Sequence, residues 1–239
     1  MRKLLFLMLT LTAAILLVVS CSDDEPTAPV PVPAKILILE DGGTEDTLQL
    51  FLDSAGFDVT MGGLYSNYTG TNFSAYDLVI FLNGVQHTNV MADSIQQALK
   101  NYVMGGGVLL ITEWMVYDGN TVILDSLSLV TSGASYNDGF EAYLKQLDHP
   151  IAAGLPDSFD LPSPDWYWVQ TFAKPTSLCT NIQSIYNGVS ATSPQLLIGT
   201  FGSGRMIHWA MPGQANGADI WYPEVRRIFI NIAAFSKTI

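Results

Sequence analysis

Hydrophobic positions fall into two periods along the first half of the chain. Lys35–Leu39 reads KILIL, a continuous apolar run suited to a parallel strand covered on both faces. Glu40-Asp41-Gly42-Gly43 turns the chain and Thr44 is placed to cap a helix. That helix carries its stripe at Leu48, Phe51, Leu52 and Ala55 and is stopped by Gly56. Phe57–Met61 and Asp77–Leu82 read as the second and third strands. A helix over Asn89–Val103 shows the stripe Ile95, Ala98, Leu99, Tyr102 and Val103. The fourth strand, Val108–Thr112, follows Gly105-Gly106-Gly107. Strands separated by helices of this length need crossovers. The fold class is therefore α/β, an open, mainly parallel sheet flanked by helices.

The second half is richer in strands. Leu178–Ile185, Gln195–Phe201 and Arg205–Ala210 have strand composition, the last two joined by the Gly202-Ser203-Gly204 turn. Pro223 opens a closing helix with its stripe at Val225, Ile228, Phe229 and Ile232. Residues 115–176 are rich in Gly, Asp, Ser and Pro and give no clear period.

Composition changes the picture mainly at the amino terminus. The sequence is 49% hydrophobic and 13% charged, enough apolar material for one core. Its net charge of −12 argues against a nucleic-acid partner, which wants basic surface. Much of the apolar excess sits in Leu4–Val19, behind Arg2 and Lys3. This run is short for a membrane span and suited to a signal peptide over residues 1–20. Val18-Val19-Ser20-Cys21 resembles the lipobox of bacterial lipoproteins. The resemblance implies acylation of Cys21, which holds the chain to a membrane, and Ser22 after it implies the outer membrane. Residues 21–33 then form a Pro-rich tether, and residues 34–239 one folded domain. With Cys21 lipidated, Cys179 has no internal disulfide partner and is expected to be buried.

The strand DLVIFLNG, the helix ending YVMGGG, the strand VLLIT, His149-Pro150-Ile151, Gly154-Leu155-Pro156 and Gly202-Ser203-Gly204-Arg205 together resemble the class I glutamine amidotransferase-like fold. Within it, residues 34–236 look most like the ThuA-like, or trehalose-utilisation-like, branch. Catalytic amidotransferases place a Cys just after the strand matching VLLIT and a His just before a Pro near the strand matching RMIHWA. Here those places hold Glu113-Trp114 and Met211-Pro212. Glutamine hydrolysis is not expected, since neither residue supplies an ionised thiol or its base.

The candidate site is the carboxyl edge of the sheet, where open α/β folds take ligands. Asp41, Asn83 and Glu113 each follow a strand, and Trp114 adjoins Glu113. Glu113 is a candidate acid or base, with His208 or Asp41 as its partner; a solvated strand-end carboxylate is the simpler reading. His208 within a strand reads as a satisfied core imidazole or as a catalytic candidate. Trp166 and Trp168, in the loop-like stretch Asp165-Trp166-Tyr167-Trp168, suit either saccharide stacking or packing. His87, His149 and His208 have no metal-binding spacing, and Gly42-Gly43-Thr44 is no phosphate loop. No metal or cofactor is expected. The expected partner is a glycan or another envelope protein. The expected activity is binding, with an envelope hydrolase or sugar-modifying enzyme built on Glu113 as the alternative.

Overall fold

A computed structural model describes residues 32–40, 42, 45–83, 89–112, 122–130, 133–136, 140–162, 167–170, 179–188, 194–209 and 222–239. Cys21 and the signal peptide expected over residues 1–20 lie outside them. Pro33–Ile239 forms one compact unit.

Among the described residues eleven strands run in chain order: β1 (Lys35–Glu40), β2 (Asp58–Leu64), β3 (Leu78–Phe81), β4 (Val108–Thr112), β5 (Gly133–Tyr136), β6 (Phe140–Lys145), β7 (Ser158–Pro162), β8 (Tyr167–Gln170), β9 (Cys179–Asn187), β10 (Pro194–Phe201) and β11 (Gly204–Trp209). The helices are α1 (Glu45–Ser54), α2 (Asp93–Met104), α3 (Val122–Asp125) and α4 (Pro223–Ser236). Nine strands make one sheet in the order β2-β1-β3-β4-β11-β10-β9-β6-β7, while β5 and β8 pair separately. Pairing is parallel from β2 through β11 and antiparallel from β11 to β7. The expected α/β class holds, and the strand-rich second half extends the same sheet.

Alternating side chains build two cores. On one face Ile36, Ile38, Ile80, Leu110, Ile207 and Trp209 pack under Leu48 and Leu52 of α1 and Val225, Ile228, Phe229 and Ile232 of α4. On the other, Leu37, Val79, Phe81, Leu109, Ile111 and Met206 meet Ile95, Leu99, Tyr102 and Val103 of α2. Continuous apolar strands follow from this double cover.

Several boundaries differ from the sequence reading for local reasons. The second strand runs on through Gly62-Gly63, because a register shift opposite Ile38/Leu39 absorbs the extra residue. A Cβ at Gly62 would stand 2.5 Å from the Leu39 side chain, and Gly63 has φ +72°. The second helix starts at Asp93 rather than Asn89, whose carbonyl instead accepts the Tyr65 hydroxyl at 3.1 Å. The loop expected around Tyr167 and Trp168 is strand β8, paired with β5. Cys179 is buried as expected, its thiol facing the Leu127 carbonyl at 3.5 Å.

The glycine motifs meet at the amino edge of the parallel strands. A Cβ on Gly204 would overlap the Val103 and Gly107 carbonyl oxygens, and one on Gly107 would overlap the Tyr102 ring. The turns before β4 and β11 thus pack backbone against backbone, and only glycine permits that approach.

Candidate functional site

Five neighbouring strands each bring a buried polar residue to the carboxyl edge. Glu40 ends β1, Asn83 lies two residues beyond β3, Thr112 ends β4, His208 is penultimate in β11, and Gln195 is second in β10. Gln195 belongs to this edge because Leu196 pairs with Trp209 in antiparallel register. Asn83 and Gln195 are each 1% exposed and His208 is fully buried.

Two of the five are tied locally. The Glu40 carboxylate accepts from the Gly42 N–H. The Thr112 hydroxyl accepts from the Asn83 N–H at 2.8 Å and donates to the Asn83 carbonyl at 3.2 Å. These bonds fix the end of β3 against the end of β4, but they use only the Asn83 backbone. Asn83 Oδ1, both His208 ring nitrogens and both polar atoms of the Gln195 amide find no hydrogen-bond partner among the described residues. Leaving such groups unpaired costs about 1–3 kcal/mol each, so their concentration at one edge needs a reason.

His208 faces the α2 side of the sheet. It alternates with Met206, pairs with Leu197 and Ile111, and all three belong to the α2-side core. Burial pushes its imidazole down to about 3, so the ring is neutral at ordinary pH. The expectation of a core imidazole is met in burial. It fails in satisfaction, because the ring's partners along the sheet are apolar.

The remaining candidates fall differently. Asp41, Glu113, Trp114 and Trp166 lie outside the described residues, as does the side chain of Trp168 in β8. Asp41 follows Glu40 in sequence, and Glu113-Trp114 follows Thr112. Trp209, in contrast, is core: its indole N–H donates to the Tyr143 hydroxyl at 3.0 Å and its ring packs on Phe229. Gln195 was missed in the sequence, where a glutamine opening a strand resembles any solvated polar residue. Only the pairing of β10 with β11 brings it to this edge.

His149 is a scaffold residue. Its Nδ1 accepts from the Ile151 N–H at 3.2 Å and its ring meets Phe235 edge-on. Asn231 of α4 donates to the Ile151 and Ala153 carbonyls at 2.9 Å each, fastening the same turn.

A cavity of about 520 Å³ lies at the opposite, amino edge, among Tyr76, Asp77, Asn101, Tyr102 and Ser203. Its main polar groups are already engaged. Asp77 accepts from the Lys35 N–H at 2.8 Å and pairs with Lys237, while the Tyr102 hydroxyl bonds the Val108 backbone. The orphaned groups favour the carboxyl edge as the site. Among the described residues, no cluster of three metal-ligating side chains occurs.

Residues 35–232 match the ThuA family, described as trehalose utilisation. The chain belongs to the ThuA family. A ThuA-like protein from Bacteroides uniformis superposes with a TM-score of 0.65 at 16% identity, over 88% of this chain and 94% of that one. A cytoplasmic protein from Salmonella typhimurium gives 0.63 at 14% identity, covering 84% and 98%. The β-galactosidase from Bacillus circulans gives 0.58 at 13% identity, over 85% of this chain and 31% of the enzyme. At these identities the likenesses speak for the fold alone. No curated protein matches the sequence. The motifs that resemble the ThuA branch occupy structural positions: the glycines close the amino edge, and the His149 turn braces α4.

Proposed function

We propose that this ThuA-family chain is an outer-membrane lipoprotein, anchored through Cys21, whose carboxyl-edge site binds a neutral glycan without turning it over. The observation that carries the reading is the row of uncharged, buried side chains at Asn83, His208 and Gln195 whose polar atoms find no partner among the described residues. Hydroxyl groups both donate and accept, so a polyol can answer every group in that row.

Charge supports the same class. The segments that follow the parallel strands, residues 41–44, 84–88, 113–121 and 210–221, contain no Lys or Arg and carry Asp41, Glu113, Asp118 and Asp219. An anionic ligand would meet no counter-charge from them. Trehalose, named in the family's description, is a neutral disaccharide. Trp114, Trp166 and Trp168 supply rings for stacking, each worth about 1 kcal/mol, which suits affinities between millimolar and micromolar.

The alternative, a hydrolase or sugar-modifying enzyme built on Glu113, loses one of its partners. A ring that takes a proton only near pH 3 is a poor acid or base at neutral pH. An amidotransferase role is disfavoured by Glu113 and Met211 at the places where that chemistry needs Cys and His.

The test is tryptophan fluorescence of the acyl-free mature chain titrated with neutral envelope-type oligosaccharides, for wild type, Trp114→Ala and Trp166→Ala. A saturable wild-type response, reduced in the variants, is expected. Identical responses in three folded proteins would leave the indoles as packing. Saccharide turnover that disappears in Glu113→Gln would replace binding with catalysis. Capture of an envelope protein, with no saccharide response, would replace the ligand class.

A further inference from the structure

We propose that His208 is a ligand-contacting, specificity-determining residue of the carboxyl-edge site, hydrogen-bonding ligand hydroxyls together with Asn83 and Gln195. The inference rests on the glycan reading above and assigns it a residue.

His208 is the anomaly of β11. Its neighbours along the strand, Met206, Ile207 and Trp209, are all buried and apolar, and so are its cross-strand partners Leu197 and Ile111. A leucine would pack there without leaving any polar atom unmatched. An imidazole instead brings two polar nitrogens into a fully buried position with no partner among the described residues. That choice weakens the core unless something else uses the ring.

The chemistry narrows what uses it. A neutral imidazole presents one N–H donor and one acceptor nitrogen. A carboxylate or phosphate can only accept and an ammonium can only donate, so either matches one nitrogen and leaves the other orphaned. A hydroxyl-bearing ligand matches both. Asn83 Oδ1 adds an acceptor, and the Gln195 amide adds an acceptor oxygen and an NH2 with two donors. Strands β3 and β10 lie two places and one place from β11. At about 4.8 Å per strand the row spans a length on the scale of one disaccharide.

The experiment is nitrogen-15 NMR of the imidazole rings in the mature, acyl-free chain, titrated with neutral saccharides including trehalose and with a uronate-bearing disaccharide. The His208 signals are identified by their loss in His208→Leu, and those of His149 by their loss in His149→Gln. Calorimetry follows binding in parallel. The expected result is a saturable shift of the His208 nitrogens with a neutral saccharide, no shift at His149, at least tenfold weaker binding of the uronate, and affinity for the neutral saccharide at least tenfold weaker in His208→Leu. Should that variant fail to fold, His87→Gln and His149→Gln identify the other two rings, and the wild-type shift of the remaining His208 signals decides alone. Neutral saccharide binding with unmoved His208 signals would overturn the assignment and leave the glycan reading standing. Absence of any saccharide binding to the wild type would overturn both.

Discussion

Thr112 and Asn83 are joined by two hydrogen bonds through a single hydroxyl, one accepted from the Asn83 N–H at 2.8 Å and one donated to its carbonyl at 3.2 Å. Both residues are buried at the carboxyl edge, Thr112 at the end of β4 and Asn83 two residues beyond β3. The pair splices β3 to β4 beyond the last ladder position, where the regular sheet bonds stop. It holds the Asn83 side chain in the row of polar groups without consuming it.

Thr112→Val keeps the shape and removes the hydroxyl, leaving a buried N–H and carbonyl unmatched. The expected loss is about 1–3 kcal/mol in urea unfolding, with Thr112→Ser retaining most of the stability. A valine variant as stable as the wild type would show that the splice contributes nothing.

His208 makes stability depend on pH. The ring titrates near its usual 6.5 when unfolded and near 3 when buried, so the unfolded chain binds the extra proton across that window. Stability from this group is complete above about pH 6.5 and falls as pH drops toward 3, by about 2 kcal/mol at pH 5. His149 is shifted downward by burial as well, so the informative comparison is wild type against His208→Leu. Denaturant unfolding at pH 8 and pH 5 should show a steeper loss for the wild type. Equal losses in the two proteins would contradict the buried, neutral assignment.

The glycine turns give a graded set of substitutions. Gly204→Ala drives a Cβ into two backbone carbonyls, which cannot rotate away, and should cost more than about 2 kcal/mol. Gly105→Ala meets only the Asn101 carbonyl at 3.3 Å and a carbonyl at 3.6 Å, at ordinary φ, and should cost far less. Thermal or urea unfolding that ranked them the other way would contradict the backbone packing at the amino edge.

Much of this architecture was readable in the sequence, because double-covered strands and striped helices leave strong periods. KILIL, LVIF and VLLIT are strands on any reading, and the four stripe residues of α4 are all buried, with Ala233 and Ser236 joining them. What stayed hidden depends on distant pairing. β5 finds its partner β8 only beyond the intervening β6–β7 pair, and β2 passes through two glycines that locally read as a stop. Asn83 was legible because it directly follows a strand. His208 was recognised, but its lack of partners depends on Leu197 and Ile111, neither adjacent in sequence.

Anchoring is tested at one atom. Mass spectrometry of the envelope protein should find Cys21 acylated and at the mature amino terminus, and Cys21→Ser should release or trap the chain unprocessed. An unmodified Cys21 in the wild type would remove the membrane from the account and leave the domain's site untouched.

The central claim is that the carboxyl edge takes a neutral saccharide, and calorimetry tests it most directly. The acyl-free mature chain is titrated in parallel with neutral oligosaccharides and with uronate-bearing analogues of the same length. The account predicts saturable binding of a neutral sugar between micromolar and millimolar, with the anionic analogue at least tenfold weaker. Equal or tighter binding of the anionic series, or no heat from either, would contradict it.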